Sequence, residues 1–289
     1  MNRPLATVVS LGLHAALLLA LALPLGAASS IEALFAPRAE LWERWTAHDS
    51  VSSASIDHAA WDRFLKTYLS KDKDGVNRFA YARITDADRR VLKDYIGGLT
   101  RRSISRYNRS EQLAYWINLY NALTVKVVLD HYTVKSIRDI DISPGWFSDG
   151  PWNKKLITVE NESLSLNDIE HRILRPIWRD ARIHYAVNCA AIGCPSLRPM
   201  AFTAVGADDM LSSAAREYIN HPRGARFEDG RLIVSSIYVW FQEDFGDSDA
   251  GVIAHLKRYA SPELQAKLAQ TERIDSHEYD WGLNDTPSP

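Results

Sequence analysis

Cysteine is nearly absent from this chain: Cys189 and Cys194 are its only two among 289 residues. That count excludes a small disulfide-stapled scaffold. It also weakens any zinc reading, because structural zinc sites use a second ligand pair that this sequence does not supply. Basic charge is not in excess either, the formal net charge being −2, so nothing electrostatic favours nucleic acid as a partner. Internal repeats, low-complexity tracts and a Pro/Gly/Ser linker are missing, which makes one domain the expected organisation. After the N-terminus no apolar run is long enough to cross a bilayer.

What is present starts with Met1-Asn2-Arg3-Pro4, an apolar stretch densest from Ala15 to Leu23, and the small-residue exit Pro24 to Ser29. A signal peptidase reads that order. It predicts a signal peptide over residues 1–28, cleavage near Ala28, and a periplasmic or secreted mature chain. A retained anchor is the competing reading, since the stretch approaches the roughly 18 residues that begin to span a membrane. No basic stop-transfer flank follows, and no cysteine near the exit offers a lipoprotein anchor. Hydrophobic residues at 46% and charged residues at 24% fit a soluble globular remainder. Nine tryptophans and twelve tyrosines point to a bulky core.

Residues 29–55 read as a helical preface and linker, with Leu34, Leu41, Trp42 and Trp45 on an amphipathic lead-in helix before a Ser-rich break. The main domain is expected over 56–284, with a tail at 285–289. Asp57 opens a helix carrying Trp61, Phe64, Leu65 and Tyr68, and Thr85 opens a second that Gly97-Gly98 should end. The segment from Ser110 to about His131 is apolar around most of its circumference, so that helix is buried. Glu111, Asn118 and Asn121 lie on it and must therefore be paired, either as a core network or as the polar wall of a site. Hairpins are predicted about Asn161-Glu162 and about Asp229-Gly230, whose turn type needs positive φ at both central residues. Between them come a helix from Ser165 to Arg175, stopped by Pro176, and a strand from Arg182 to Asn188. Helices follow over 210–219, 237–245, 252–259 and 262–268, with a last strand from Ile274 to Leu283. The fold class is α+β, several helices packed on a mostly antiparallel sheet.

His184, Cys189 and Cys194 form an H-x4-C-x4-C run. Export would favour a Cys189–Cys194 disulfide, and Gly193 would help so short a loop to close. The alternative makes one thiol a nucleophile, which requires a base within hydrogen-bond reach. In an extended segment His184 lies on the opposite face from Cys189 and about 16 Å away. A turn over 190–193 would bring Cys194 back towards His184, or His171 would have to serve Cys189. Around their own helix, Glu170 falls nearer the buried stripe of Leu166, Ile169 and Ile173, and His171 points further towards the surface.

Four blocks carry a resemblance: Glu111-Gln-Leu-Ala-Tyr-Trp-Ile-Asn-Leu-Tyr-Asn121, Ser165-Leu-Asn-Asp-Ile-Glu-His-Arg-Ile-Leu-Arg175, Arg182-Ile-His-Tyr-Ala-Val-Asn-Cys189 with Cys194-Pro195, and Tyr279-Asp-Trp-Gly-Leu-Asn284. Together, over about residues 55–284, they resemble the DUF547 family. The resemblance implies an exported bacterial protein. It also implies relatives in plants that carry the domain behind a coiled coil and often have serine where Cys194 stands. Chemistry shared with such relatives would not need the disulfide, which favours Cys189 over Cys194. The family name assigns no activity.

Glu111, Asn118, Asn121, Asn167, Glu170, His184 and Cys189 are expected to converge on one polar pocket, with Trp116 and Trp240 as walls and with His171 and Arg182 as further binding candidates. The chemistry expected is that of a thiol-dependent hydrolase or acyltransferase acting on a small-molecule or peptide ligand. Cys189 attacks, His184 or else His171 is the base, Glu170 assists, and Asn118 or the backbone amides after Cys189 hold the oxyanion. Two alternatives stand beside it. One is a non-catalytic envelope module, binding a ligand or partner, with a structural Cys189–Cys194 disulfide. The other is a metal held by His184, Glu170 and Glu111, which no spacing supports on a single element. No cofactor is expected.

Overall fold

The computed structural model describes residues 36–145 and 150–286. The predicted signal peptide and Leu34 lie outside the described residues. Helix α1 (Ala59–Tyr68) leads through the hairpin β1 (Leu69–Lys71) and β2 (Asn77–Phe79) to α2 (Asp86–Thr100) and α3 (Arg109–Asp130). A second hairpin, β3 (Ile157–Val159) and β4 (Glu162–Leu164), precedes the π-helical segment Asp168–Leu174, which runs into α4 (Arg175–Trp178). A 3-10 turn at Ala181–Tyr185, α5 (Ala207–Ile219) and the hairpin β5 (Ala225–Glu228) and β6 (Arg231–Ser235) follow. The chain closes with α6 (Ile237–Trp240), a 3-10 turn at Gln242–Phe245, α7 (Asp249–Tyr259), α8 (Pro262–Leu268) and β7 (Ser276–Glu278). This is an α+β fold, and its strand pairs are antiparallel except that β7 joins β6 in parallel.

Helix α3 is the centre. Asn108 accepts the Glu111 N–H at 3.0 Å and starts it, and nearly every residue from Glu111 to Leu129 is buried, as its all-round apolar pattern predicts. Helix α2 packs along it and continues through Gly97-Gly98 to Thr100. Leu99 is buried there and its carbonyl accepts the Tyr115 hydroxyl, so packing outweighs the roughly 1 kcal/mol that each glycine costs a helix. A second core lies under β5, β6, α7 and α8. The 3-10 turn Ala181–Tyr185 bridges the two, Ile183 facing the first and Tyr185 the second.

That turn replaces the strand predicted over 182–188. Residues 183–188 are all buried, so apolar alternation carried no information about which way each side chain faces. The Asp180 carboxylate, accepting the Arg182 N–H at 2.9 Å, starts a helical turn instead. The second hairpin also turns one residue earlier than expected, at Glu160-Asn161, with φ of 45° and 69°. Glu160 is held there by Ser105 and Arg44. The turn at Asp229-Gly230, with φ of 49° and 76°, falls where its sequence predicts.

Pro176 does not stop its helix; the helical path runs to Trp178 and ends where Arg179 turns left-handed at φ 50°. Proline offers no N–H to the turn before it. The carbonyls of His171 and Arg172 accept instead from Glu40 and Trp42 at 2.9 and 3.0 Å. The lead-in segment is consequently an extended strap, with a 3-10 turn only at Glu43–Thr46. Its anchor is Trp45, 3% exposed, whose ring meets Trp116 edge-on at 5.1 Å. Truncating it to alanine is expected to lower stability by about 3–5 kcal/mol, to be read from urea unfolding monitored by circular dichroism.

Candidate active site

Two amides of α3 hold the loop that bears the cysteines. Asn121 donates to the Ala186 carbonyl at 2.8 Å and accepts the Asn188 N–H at 2.9 Å. Asn188 donates to the Pro195 carbonyl and accepts the Ala190 N–H, which closes the loop on itself. Ala190 is left-handed at φ 59°, and the stretch after β7 lies along the loop, with Ile192 and Gly193 donating to Gly282 and Asp280. A Cβ on Gly193 would come within 2.9 Å of both the backbone nitrogen and oxygen of Asp280. Only glycine permits this approach.

Cys189 emerges partly exposed from that loop, whereas Cys194 is buried; both thiols are free. The disulfide is not formed, and the Cys189 N–H instead donates to the Cys194 sulfur at 3.1 Å. The Cys189 sulfur lies 3.0 Å from the Tyr279 hydroxyl. Its pKa is drawn below the usual thiol value, chiefly by the neighbouring Cys194 thiol, against the opposing effect of burial, with further help from Tyr279 and the Ala191 N–H. Burial and the Cys189 charge push Cys194 and Tyr279 the other way. Tyr279 therefore stays protonated and faces the sulfur with its O–H, while the Cys194 S–H is directed at the Val187 carbonyl at 3.8 Å. Half-buried rings surround the sulfur: Tyr279 lies 4.8 Å from Trp240 and 4.7 Å from Trp281. The Trp240 Nε1 has no hydrogen-bond partner among the described residues.

Behind this face lies a ring of charged and polar groups around Phe241. Asp244 accepts from His184 Nε2 at 2.7 Å and from Arg175 Nε at 2.5 Å. Arg175 also donates to Glu243, to His171 Nδ1 and to the Pro37 carbonyl of the strap. Glu170 completes the ring, 3.7 Å from His184 Nδ1 and 3.9 Å from His171 Nε2. His184, Arg175 and His171 all face the Phe241 ring, at 4.6, 4.7 and 5.5 Å. Burial raises the Asp244 carboxyl, but His184 and Arg175 outweigh it and hold the pKa at about 2. The Glu170 charge is felt outside the ring, raising the pKa of the buried Tyr120 hydroxyl and opposing ionisation of the Cys189 thiol.

Of the residues expected to converge, Glu170 and His184 meet in the charged ring, and Cys189 and Trp240 each meet Tyr279. The others have different places. Asn118 is bound on both sides to the backbone of Phe202, at 2.8 and 3.0 Å, and has no role as an oxyanion donor. The backbone amides of residues 190–194 are likewise all engaged. Glu111 accepts from Ile56 at the start of α3, away from Glu170 and His184, so the three-ligand metal reading is not assembled; no metal-holding group of three or more His, Cys, Asp or Glu occurs among the described residues. Asn167 binds Asn153 at the surface, Trp116 is core, and Arg182 pairs with Asp180 and Asp208. His171, expected near the surface, is buried, because the π register turns it inward onto Phe241. Asp244, Phe241, Arg175 and Tyr279 went unread. Tyr279 and Arg175 had a signal, as the first residue of the fourth block and the last residue of the second.

Burial pushes His58, His171 and His255 down to about 4 from the ordinary 6.5. The unfolded chain binds a proton at each below about pH 6.5, and the folded chain does so only near pH 4. Stability is therefore full above pH 6.5 and falls as the pH drops towards 4, with unfolding near pH 5 taking up roughly three protons. Asp244 adds its own loss only below about pH 4. Urea midpoints measured from pH 8 to pH 4 check this, and a flat profile would contradict the burial of these imidazoles.

Among the described residues no helix is long and apolar enough to cross a membrane. No curated protein and no solved structure matches the chain. One family model does match, that of DUF547, a protein of unknown function, over residues 104–219. The match spans α3 to α5, shorter than the resemblance read over 55–284. It takes in Glu170, His184, Cys189 and Cys194, and leaves Trp240, Asp244 and Tyr279 beyond it. The chain therefore carries a DUF547 domain over residues 104–219.

Proposed function

We propose that this protein is a cysteine-dependent acyl-transfer enzyme, a hydrolase or acyltransferase, acting outside the cytoplasm on a small-molecule or peptide substrate. The observation that carries the reading is the Tyr279 hydroxyl 3.0 Å from the sulfur of Cys189, a partly exposed residue whose thiol pKa is lowered by the neighbouring Cys194, Tyr279 and Ala191 N–H. A thiol so surrounded is stabilised as thiolate, the nucleophilic form. In that form it needs no adjacent histidine to deprotonate it.

In this reading Cys189 attacks the acyl carbon and its negative charge passes to the carbonyl oxygen. The Tyr279 O–H, no longer needed by the sulfur, turns to that oxyanion, and the unpartnered Trp240 N–H is the second donor. The leaving group takes its proton from solvent as the thioester forms, and the Glu170 carboxylate accepts the proton of the water or other acceptor that opens the thioester and returns it to solvent, Cys189 leaving as thiolate. His184 is a positioning residue, held by Asp244 and carrying its free nitrogen towards Glu170.

Cys189→Ser is expected to abolish turnover of activated esters and thioesters while leaving the fold intact. Tyr279→Phe, which removes one donor, is expected to raise the thiol pKa by about one unit and so to slow iodoacetamide alkylation at pH 7 by roughly tenfold. Full turnover in Cys189→Ser, or a wild-type thiol that alkylates as slowly as a free cysteine, overturns the reading in favour of a non-catalytic module.

A further inference from the structure

A separate cleft of about 530 Å³ opens between the end of α4 and α7, lined by Trp178, Arg179, Arg182, Asp244, His255, Arg258 and Tyr259 among others. Its volume falls within the range of small-molecule sites. The cysteine is not part of it; Asp244 alone is shared with the charged ring.

The guanidinium groups of the cleft differ in their pairing. Arg182 is neutralised by Asp180 and Asp208, and Asp244 is neutralised by Arg175 and His184. Arg179 and Arg258 also line the cleft, and neither has a carboxylate within ion-pair distance among the described residues. Two guanidinium groups at its walls are therefore without an ion-pair partner, although as a whole Arg175, Arg179, Arg182 and Arg258 balance Asp180, Asp208, Glu243 and Asp244. Arg179 is moreover held at φ 50°, a conformation that glycine adopts more readily, at the point where α4 ends. An arginine kept there despite the strain needs a purpose for its side chain.

The floor supplies a second observation. His255 is buried to within 7% of full exclusion and stays neutral, because burial lowers its pKa to about 4. Its Nε2 is occupied by the Tyr185 hydroxyl at 2.9 Å, which in turn donates to Tyr238. Nε2 is thereby engaged, and among the described residues no protein group hydrogen-bonds Nδ1 of this cleft-lining histidine. Trp178 and Tyr259 add flat apolar walls. Two cations, one nitrogen of a neutral imidazole and two rings describe the complement of an anionic molecule that also carries an O–H or N–H.

We propose that this cleft binds a small organic anion, a carboxylate or phosphate ester with a hydroxyl or amino group, its charge on Arg179 and Arg258 and its donor on His255 Nδ1. The site does not depend on the chemistry at Cys189, and its test is a binding measurement.

The full chain is titrated calorimetrically at pH 7.5 with four probes: inorganic phosphate, glycerol 3-phosphate, succinate and malate. Saturable binding of a phosphate or a carboxylate probe supports the site and distinguishes the two sources, and the hydroxylated member of each pair is expected to bind more tightly. Arg179→Gly relieves the left-handed strain, so it folds at least as well as the wild type; it and Arg258→Gln are each expected to weaken binding by roughly tenfold or more. Thermal unfolding with about 10 mM probe should rise in the wild type and not in the double variant. Absence of binding by all four probes, or equal affinity in the double variant, overturns the proposal. Cys189 alkylation rates, unchanged in both variants, keep this outcome distinct from the fate of the acyl-transfer reading.

Discussion

An amide buried in the middle of a helix has to find a partner in the rest of the chain, and in α3 the partner of Asn121 is the backbone that leads into Cys189. Its carboxamide takes the Ala186 carbonyl and the Asn188 N–H together, in a setting without water to compete. Left unpaired, those groups would cost about 1–3 kcal/mol each. The pair therefore fixes the position of the cysteine loop relative to the central helix. Asn118 does the same for the segment that follows, through Phe202. With those two points held, Asn188 can close the loop and Gly193 can lie against Asp280.

The second constraint is electrostatic. Asp244 is partly buried, and Arg175 and His184 more than offset the cost of that burial and hold its carboxyl below the usual range; a paired ion in such a place is cheaper than an uncompensated one. Arg175 is in position because the π-helical segment shifts the register at Glu170 and His171, and because Pro176 leaves carbonyls for the N-terminal strap to satisfy. The strap, the π segment and the 3-10 turn Gln242–Phe245 thus depend on one guanidinium. Their shared arrangement holds Glu170 beside His184 and His171. π-helical turns recur at functional sites for this reason: the extra residue re-aims side chains that a regular helix would direct elsewhere.

Much of the local structure was legible in advance. The all-round apolar helix near residues 110–131, the hairpin at Asp229-Gly230 and the cap at Thr85 follow from periodicity, turn chemistry and capping, and each lies where it was expected. Where local patterns misled, a long-range partner is the cause. The strand expected over 182–188 is a 3-10 turn between two cores, so both its faces are apolar. Pro176 fails to end its helix because a strap some 130 residues earlier accepts the task of the missing N–H. The lead-in helix is extended for the same reason.

For the candidate site the division is sharper. Sequence alone singled out Cys189, Glu170 and His184, since polar residues within apolar patterns are conspicuous and a block resemblance gathers them. It also determined that α3 is buried and that its amides must be bonded. Which groups they bond to was decided by the tertiary structure. Tertiary contacts also decided that the thiols stay apart, that Tyr279 and Cys194 neighbour the Cys189 sulfur, and that Asp244 and Arg175 stand behind His184. Those partners lie up to 90 residues from Cys189 in the chain. Their hydrogen bonds depend on distance in space, about which spacing along the sequence carries no information.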